Sequence, residues 1–596
     1  MTELLKFNPI PQKFTLALLT FLILFSAALR FVNLTGVPPG LYQDESAIGY
    51  NAYSILQTGK DEYGVSHPLY FKSFNDYKLP VYIYLTAASI KVFGLNEFAV
   101  RFPSALAGVF AVVILFFFVR YLTKNLTLAF LCALVLALNP THLFFSRAGF
   151  EVNVAMTFAL AGCYSFIYGA TKKKILYVAL SVISFGLCLY SYNVTRLTAP
   201  IFFVGLVFLY WKDIKTFKLT YQIIAVVLAF IVLAPFLLSF FSSSGVFSAK
   251  SSLITSTDIL AIDLQFRSYL LSLPHAYISL FFNQYVYMVF QYLQNLATIL
   301  SGAFFFVSGT SEQNQGVGNV GFFYLSDLPF FIWGLVTYYR AKVGGFRFFS
   351  LWLIVSVLIL ALSKQVPQAT RGYFIILPSV CFIALGIFSF IQYLSNNKNS
   401  LMKYSLIVLS VLFAFYNIQY YFLSYYFVFP SASADAWRME DKALSLYLKA
   451  NDKKYNKIII DRSADFIYTT FLFYDQYPPQ EFINTAKRYN DGDLIKADAW
   501  GKYQITQLSW QKDLAIPHAL IIATQADTPK YTIVLKKFYD PTVFSVLSIN
   551  STIVNAPQND VKYVLVEADE NRNNVKMLNQ IQRASQLQTS LQAQLQ

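Results

Sequence analysis

Long apolar runs, separated by short polar segments, extend from residue 14 to residue 424. A helix needs about 20 apolar residues to cross a bilayer, so this pattern predicts a polytopic α-helical membrane protein. The first run, 14–32, follows two lysines. The small residues Ser26-Ala27-Ala28 would suit signal-peptide cleavage, but the run continues to Phe31, and we favour a retained span.

Ten further runs are interpreted as crossings, which brings the predicted total to eleven. They are residues 102–119, 126–145, 153–171, 175–190, 197–211, 220–240, 328–339, 348–362, 372–392 and 404–424. The run 80–93 has 14 residues. As a helix it would cover about 21 Å, less than the roughly 30 Å of the hydrocarbon core. We interpret it as an interfacial or re-entrant helix, with a short true span as the alternative.

Basic residues decide between these alternatives. If 80–93 does not cross, every basic cluster, such as Lys172–Lys174 and Lys212 with its neighbours, falls on the cytoplasmic side. If 80–93 crossed, every later cluster would fall outside. The eleven-span topology leaves four segments on the outer face. These are residues 33–101, 146–152, 241–327 and everything after about 428.

The chain after residue 428 changes character. Charged residues become frequent, a helix-like stretch occupies 441–450, and short runs typical of β-strands appear. Those runs are 457–460, 519–523, 531–535 and 561–566. The sequence therefore predicts a transmembrane module over 1–428 and an extracytoplasmic α/β domain over 429–570. The Gln-rich tail, 571–596, is assigned no function.

Composition agrees with this architecture. Hydrophobic residues make up 56% of the chain and charged residues 13%, which excludes a disordered protein, a soluble multidomain enzyme and a disulfide scaffold. The net charge of +15 is explained by the basic clusters at the ends of apolar runs, so we expect no nucleic-acid partner. The four cysteines lie inside apolar runs, and no P-loop, Rossmann or HExxH motif occurs.

The first outer segment carries the adjacent acids Asp44 and Glu45 after a Pro-Pro-Gly turn. A carboxylate pair at a membrane interface can act as a general base or bind a metal ion. Helical spacing of Ile48, Ala52 and Ile55 predicts a short amphipathic helix on the membrane surface. The acids could equally be favourable charges at the start of that helix.

Basic residues on the predicted outer side are the other candidates. Lys78, Arg147, Arg196 and Arg371 collect where positive charge is otherwise scarce, and charges this close to a bilayer are functional candidates. Together they indicate an anion, and a lipid phosphate is the nearest one. Lys78 could instead snorkel from a helix end, and the arginines could pair with acids such as Glu151.

Three stretches in the first outer segment and after it have a distinctive order. They are Gln43–Tyr53, Lys78-Leu79-Pro80 and Phe93–Gly108. They resemble the first module of the GT-C glycosyltransferases, in the branch of protein O-mannosyltransferases and lipid A aminoarabinose transferases. Ser146-Arg147 followed by Glu151 resembles the Ser-Arg…Asp turn of that branch. Two departures are Glu for the usual Asp and Lys-Leu-Pro for Lys-Pro-Pro.

The resemblance, which covers about a fifth of the chain, implies an integral membrane sugar transferase. Its donor would be a polyprenyl-phosphate-linked monosaccharide and its active site an outward-facing cavity. By this resemblance Asp44 matches the catalytic base, Lys78 the ligand of the donor phosphate and Glu151 a second carboxylate. We include Glu45 with the catalytic residues and Tyr50 with the substrate-binding ones.

The cofactor and the acceptor stay open at this level. No cofactor is certain, and a divalent metal ion, which some relatives bind through such carboxylates, is left undecided. A protein hydroxyl, a polysaccharide and a lipid are all acceptor options. A lipid-linked sugar flippase or a transporter is the alternative function. Transporters tend to show inverted repeats, and none is visible in this sequence.

We expect a multi-pass protein of the plasma membrane, bacterial in source, whose C-terminal domain is extracytoplasmic. Single cysteines introduced at Lys173 and Gln480, in a background without the native cysteines, test this orientation. A membrane-impermeant thiol probe should reach position 480 only from outside and position 173 only from the cytoplasm. The opposite labelling at either position would contradict the eleven-span topology.

Overall fold

The computed structural model describes residues 7, 9–74, 76–239, 280–281, 283–310, 312–364, 366–491, 494–529, 534–539, 561–568 and 571. Two compact units divide the chain. The first, which we call the membrane unit, takes its described residues from 1–37, 77–89 and 101–429. The second, the sheet unit, takes them from 38–76, 90–100 and 430–596. The sequence prediction placed the first outer segment with the transmembrane module, whereas most of that segment belongs to the sheet unit.

Helices of seven or more residues are numbered in chain order. The N-terminal ones are α1 Thr15–Phe31, α2 Gln43–Thr58, α3 Pro80–Phe93, α4 Glu97–Thr123, α5 Leu126–Leu138, α6 Pro140–Ser146, α7 Glu151–Lys172, α8 Ile175–Leu189, α9 Thr195–Leu209 and α10 Leu219–Ser239. The later ones are α11 Gln284–Leu300, α12 Leu328–Ala341, α13 Arg347–Ala361, α14 Ile376–Asn396, α15 Ser400–Leu423, α16 Met439–Asn451, α17 Tyr468–Asp475 and α18 Pro479–Thr485.

Seven helices among the described residues are long and apolar enough to cross a membrane, and the bent pair α5 and α6 could supply an eighth crossing. A helix, or this bent pair, occupies each of the eleven predicted spans, although α8, α9 and α12 have only 14 or 15 residues. The number of crossings therefore stays a prediction. Helix α11, inside the predicted outer segment 241–327, was not foreseen, and residues 240–279 lie outside the described ones.

Local sequence explains the 61° bend between α5 and α6. Asn139 precedes Pro140, and the residue before a proline is disfavoured in the helical conformation. The Asn139 side chain then accepts a hydrogen bond from the His142 backbone N–H at 2.8 Å and caps the new helix. Pro140 occupies its first turn, where a missing N–H costs nothing.

Two glycines allow α12 and α14 to approach closely. A Cβ built on Gly334 would lie 1.9 Å from the carbonyl oxygen of Phe382, and one on Gly386 would lie 1.9 Å from that of Phe330. Small residues at a helix crossing let the two backbones approach each other. In a membrane this close packing stabilises the helix pair, because the hydrophobic effect does not drive helices together in lipid. An alanine at either position would push the two helices apart.

Nine strands are described: β1 Phe71–Ser73, β2 Asp76–Lys78, β3 Lys457–Asp461, β4 Lys487–Asp491, β5 Leu494–Trp500, β6 Tyr503–Thr506, β7 Ala519–Ala523, β8 Lys536–Tyr539 and β9 Val561–Glu567. Seven of them form one mixed sheet in the order β4-β5-β6-β3-β7-β9-β8. Strand β3 is parallel to β6 and β7, and the remaining pairs are antiparallel. A C-terminal α/β domain is thus confirmed.

Alternation along the central strands builds a core on each face of this sheet. Ile458 and Ile460 pack with the buried residues of α16, α17 and α18 on one face. Ile521, from the neighbouring strand, points to the other face and packs with Val564 and Leu514. Three of the predicted strand runs coincide with β3, β7 and β9. The run 531–535 is displaced, since the strand found there begins at Lys536 and residues 531–533 lie outside the described ones.

Helix α2 belongs to the core of the sheet unit, and the prediction of a helix lying on the membrane surface is wrong. Nine of its residues are buried, on more than one side of the helix. Ala47 and Tyr50 enter the same apolar core as Ile458. The polar side chain of Ser46 also contacts the Thr469 hydroxyl of α17 at 2.8 Å.

A buried carboxylate, Glu62, binds the segment after α2 to the sheet. Its side chain has no exposed surface, and Arg488 of β4 approaches it at 3.7 Å. Tyr468 donates a hydrogen bond to Oε2 at 3.0 Å and Asn51 donates to Oε1 at 3.2 Å. Arg488 also donates to the Glu62 carbonyl at 2.8 Å and stacks over the ring of Tyr63. Burial raises the pKa of Glu62, an effect that the positive charge of Arg488 opposes.

Arg488→Ala should destabilise the sheet unit by about 3–5 kcal/mol, because it leaves a buried carboxylate without its counter-charge. The loss should shrink as the pH is lowered, since a protonated Glu62 is neutral and no longer needs the arginine. The apparent midpoint of thermal unfolding in detergent, read by tryptophan fluorescence, measures both effects.

Arg438→Ala is the matched control. Its partner Asp465 is 59% exposed, so that pair should contribute only about 0–1 kcal/mol. Equal unfolding midpoints for the two variants would contradict the role assigned to Glu62.

Candidate active site

Asp44 and Glu45 lie in the first turn of α2, where a negative charge interacts favourably with the helix N-terminus. Asp44 is partly exposed, whereas Glu45 is fully buried. Only one of the two neighbouring carboxylates therefore presents itself to a ligand, as the 100° rotation between successive helical residues requires. The exposed one is Asp44.

The turn before α2 is held in place by the start of the C-terminal segment. A Cβ on Gly40 would lie 2.2 Å from the carbonyl oxygen of Trp437, so only glycine fits. The ring of Tyr42 meets that of Trp437 edge to face at 5.3 Å. Leu41, close by, packs with Phe473 of α17. These contacts fix the point at which α2 starts, and with it the position of Asp44.

Tyr50 does not serve as a substrate ligand in this structure, and that prediction is corrected. Its side chain is fully buried in the core of the sheet unit, and its hydroxyl donates a hydrogen bond to the carbonyl of Tyr477 at 3.2 Å. Its ring meets Phe482 edge to face at 5.7 Å. Burial raises the pKa of this phenol, which keeps it neutral.

In the membrane unit, the structure brings three predicted site residues together around Tyr192. Tyr192 lies in the turn between α8 and α9, and its hydroxyl lies close to the side chain of Thr370. Arg371, Glu151 and Lys78 are near enough for their charges to act on the phenol. Burial raises the pKa of Tyr192, which Arg371 and Lys78 oppose and Glu151 reinforces. We call these five residues the Tyr192 cluster.

Different elements supply the charges of the Tyr192 cluster. Lys78 ends β2, immediately before α3, whose second residue donates a backbone hydrogen bond to the carbonyl of Tyr190 at 3.2 Å. Glu151 is the first residue of α7 and is 7% exposed. Arg371 lies in the short helix Ala369–Gly372, just before α14. Two cations and one carboxylate thus lie within electrostatic range of a polar turn between apolar helices.

Arg147 has a structural role, so its predicted part in substrate binding is corrected. Its two terminal nitrogens donate hydrogen bonds of 2.8–3.2 Å to five backbone carbonyls at the end of α1 and the following turn. The guanidinium also lies over the rings of Tyr425 and Tyr426. The side chain is completely buried. These carbonyl oxygens occupy the donors that a phosphate would need.

Arg196 is the second residue of α9, directly after the turn that contains Tyr192. Its guanidinium carbon lies 5.6 Å from the centre of the Phe236 ring on α10, a cation–π contact. Its backbone N–H donates to the carbonyl of Asn193 at 3.1 Å. A role for Arg196 in binding substrate stays a prediction.

Within the described ranges, no group of three or more His, Cys, Asp or Glu side chains could hold a metal ion. The Tyr192 cluster has one carboxylate, Glu151, next to two cations, which is unsuitable for a divalent ion. We therefore derive no step that uses a metal.

Sequence reasoning missed Tyr192 and Thr370. A signal for Tyr192 existed, because the polar stretch Tyr190–Arg196 interrupts two apolar runs on the predicted outer side. Thr370 is adjacent to Arg371, which was selected. What the sequence could not supply is the packing of the turn Tyr373–Ile375, just before α14, against α7, where the Tyr373 hydroxyl donates a hydrogen bond to Asn153 at 2.9 Å. This packing brings position 370 near the turn at 192.

Comparisons with known proteins support the resemblance. Residues 67–238 match the family model for dolichyl-phosphate-mannose-protein mannosyltransferase. An uncharacterized protein of Aquifex aeolicus (strain VF5) is 28% identical over 201 residues, which are 33% of this chain and 37% of that protein. The match thus spans just over a third of the relative's length.

Two solved structures extend the likeness over nearly the whole chain. ArnT from Cupriavidus metallidurans in the apo state has a TM-score of 0.52 at 12% identity, with 92% of this chain and 97% of ArnT covered. ArnT bound to undecaprenyl phosphate has a TM-score of 0.50 at 11% identity, with 93% and 97% covered. Identity this low shows the fold alone. The chain is a multi-pass membrane protein with the GT-C fold, which ArnT shares.

Proposed function

We propose that this protein transfers a monosaccharide from a polyprenyl-phosphate donor to an acceptor on the extracytoplasmic side of the membrane. The observation that carries the proposal is the Tyr192 cluster, which gathers Lys78 and Arg371 at a turn between apolar helices. A polyprenyl phosphate has an anionic head and an apolar tail, and this surrounding suits both. The proposal is also supported by ArnT, which shares the fold and has been solved with undecaprenyl phosphate bound.

The donor phosphate is assigned to the two cations of the cluster. A sugar bonded to a phosphate already has a good leaving group, so the enzyme must stabilise the charge that develops on that phosphate. Arg371 can donate two parallel hydrogen bonds to phosphate oxygens, and Lys78 supplies a compact positive charge. The raised pKa of Tyr192 keeps its phenol protonated, so it can donate a further hydrogen bond.

Asp44 is assigned the role of general base. Its carboxylate takes the proton of an acceptor hydroxyl while the hydroxyl oxygen forms a bond to the anomeric carbon. The bond between that carbon and the phosphate oxygen breaks, and its electron pair leaves with the polyprenyl phosphate. One sugar residue and one proton are transferred, and no nucleotide takes part. Asp44 is the partly exposed member of an acidic pair whose other member is buried, in agreement with this role.

Lys78→Ala should weaken donor binding by about 1.5–3 kcal/mol, roughly 10- to 150-fold, because a charge-assisted contact with the phosphate is lost. Equilibrium binding of a fluorescent polyprenyl phosphate to the purified protein measures the change. Lys91→Ala is the matched control, since Lys91 is an exposed lysine near the end of the adjacent helix α3. Unchanged affinity in Lys78→Ala would leave Lys78 as a snorkelling lysine.

Asp44→Asn should lower the turnover about 10²- to 10⁴-fold, because it removes the base and keeps the size of the side chain. Release of polyprenyl phosphate from a panel of polyprenyl-phosphate sugars, followed by mass spectrometry, measures the rate. Donor affinity should be unchanged in this variant.

Glu45→Gln is the companion variant. If Glu45→Gln is inactive while Asp44→Asn is near the wild-type rate, the two roles must be exchanged. Activity in both variants would contradict a carboxylate base at this position. No release by the wild-type protein from any donor of the panel would count against the transferase itself.

A further inference from the structure

The sheet unit contains a cleft that no step of the proposed reaction uses. Its volume is about 1050 Å³. Its walls are the end of α16 with the following turn (449–454), the connection between α17 and α18, and the β5–β6 turn (501–503). The cleft therefore opens at the amino end of the central strand β3. Ligand pockets for small molecules are about 300–1,000 Å³, so this cleft has room for a larger ligand.

Hydrogen bonds hold the polar groups of the cleft in fixed positions. Asp452 Oδ1 forms an ion pair with the ammonium group of Lys502 and accepts a hydrogen bond from the hydroxyl of Tyr503, each at 2.9 Å. The Lys502 ammonium group also donates to the carbonyl of Tyr455 at 3.1 Å. On the opposite wall, the Tyr477 hydroxyl donates to Glu481 Oε1 at 2.5 Å. Ordering these groups in advance lowers the entropy that a ligand must lose to bind them.

Gly501 is required for the shape of this wall. Its φ is +48°, in the left-handed region that side chains disfavour. A Cβ at this position would lie 2.4 Å from the hydroxyl oxygen of Tyr477. Glycine thus allows the β5–β6 turn to approach Tyr477, so the two walls of the cleft lie close together at this point.

The charges of the cleft indicate the class of ligand. Four lysines and three carboxylates line it, so the positive and negative charges nearly cancel. A polyanion would meet Asp452, Asp475 and Glu481, and a polycation would meet the lysines. A hydroxyl group is both donor and acceptor, so it can accept from an ammonium group and donate to a carboxylate. A ligand with many hydroxyl groups and little net charge fits both kinds of partner.

We propose that the cleft binds a neutral oligosaccharide of several sugar units, and that this glycan is the acceptor chain of the transfer reaction. The binding itself stands on the volume and lining of the cleft. Only the identification of the glycan as the acceptor rests on the proposed function. The cleft would then determine which glycans are extended.

The test is binding of maltotetraose, chitotetraose and mannotetraose to the full chain in a detergent without a sugar head group. Saturation-transfer-difference NMR gives the affinity, and the Asp44→Asn background keeps any turnover low. At least one tetrasaccharide should bind saturably. The double substitution Asp452→Asn/Asp475→Asn preserves side-chain size and should weaken that binding about tenfold or more, because two charged acceptors become neutral.

Asp465→Asn is the matched control and should not change the affinity, because Asp465 lies outside the cleft. Absence of saturable binding for all three glycans, or binding that the double substitution leaves unchanged, would overturn the proposal. Tighter binding of polyphosphate than of any glycan would also overturn it. If a glycan binds but the wild-type protein transfers no sugar, the cleft stands as a glycan site and only its assignment to the acceptor falls.

Discussion

The buried carboxylate of Glu62 is the constraint on which the sheet unit depends. An ionised carboxylate without contact to water is costly unless opposite charge and hydrogen-bond donors surround it. Here the hydrogen-bond donors come from α2 and α17 and the opposite charge from β4, and these elements are distant in sequence. All of these elements must be in place together, because a partly satisfied buried network is worse than an apolar one. The first outer segment is thereby fastened to the C-terminal domain.

This fastening has a consequence for the candidate base. Asp44 is at the start of α2, and α2 is held by Asn51 at the Glu62 network and by Tyr50 in the apolar core. A general base contributes most when it is positioned rigidly, and a loop on a membrane surface would not position it. The C-terminal domain is therefore part of the support of the segment that carries the proposed base.

The sequence was sufficient for the membrane helices, because long apolar runs have no other stable arrangement. It was also sufficient for β3, β7 and β9, which are apolar and central. It was not sufficient for β4, β5 and β6, because polar residues are frequent in these short strands and make their sequences similar to those of loops. The location of α2 was predicted wrongly, because an apolar spacing such as that of Ile48 and Ala52 is the same for a helix on a protein core and for a helix on a lipid surface.

The site was predictable to a similar extent. Lys78, Glu151 and Arg371 were selected by charge and position, and the structure gathers them at Tyr192. Arg147 was selected on the same grounds, yet it binds backbone carbonyls. Carbonyl and phosphate oxygens are both acceptors for a guanidinium, so only the three-dimensional arrangement distinguishes the two roles. Tyr192 and Thr370 depend on tertiary packing and were not selected.

The central claim is that the chain breaks the bond between sugar and polyprenyl phosphate. Proteoliposomes loaded on one leaflet with a polyprenyl-phosphate sugar test it directly, in the presence of a hydroxylated acceptor. Free polyprenyl phosphate and an acceptor whose mass has increased by one sugar residue are the expected products. Transfer of the intact donor to the opposite leaflet, with no free polyprenyl phosphate, would contradict it and indicate a transporter.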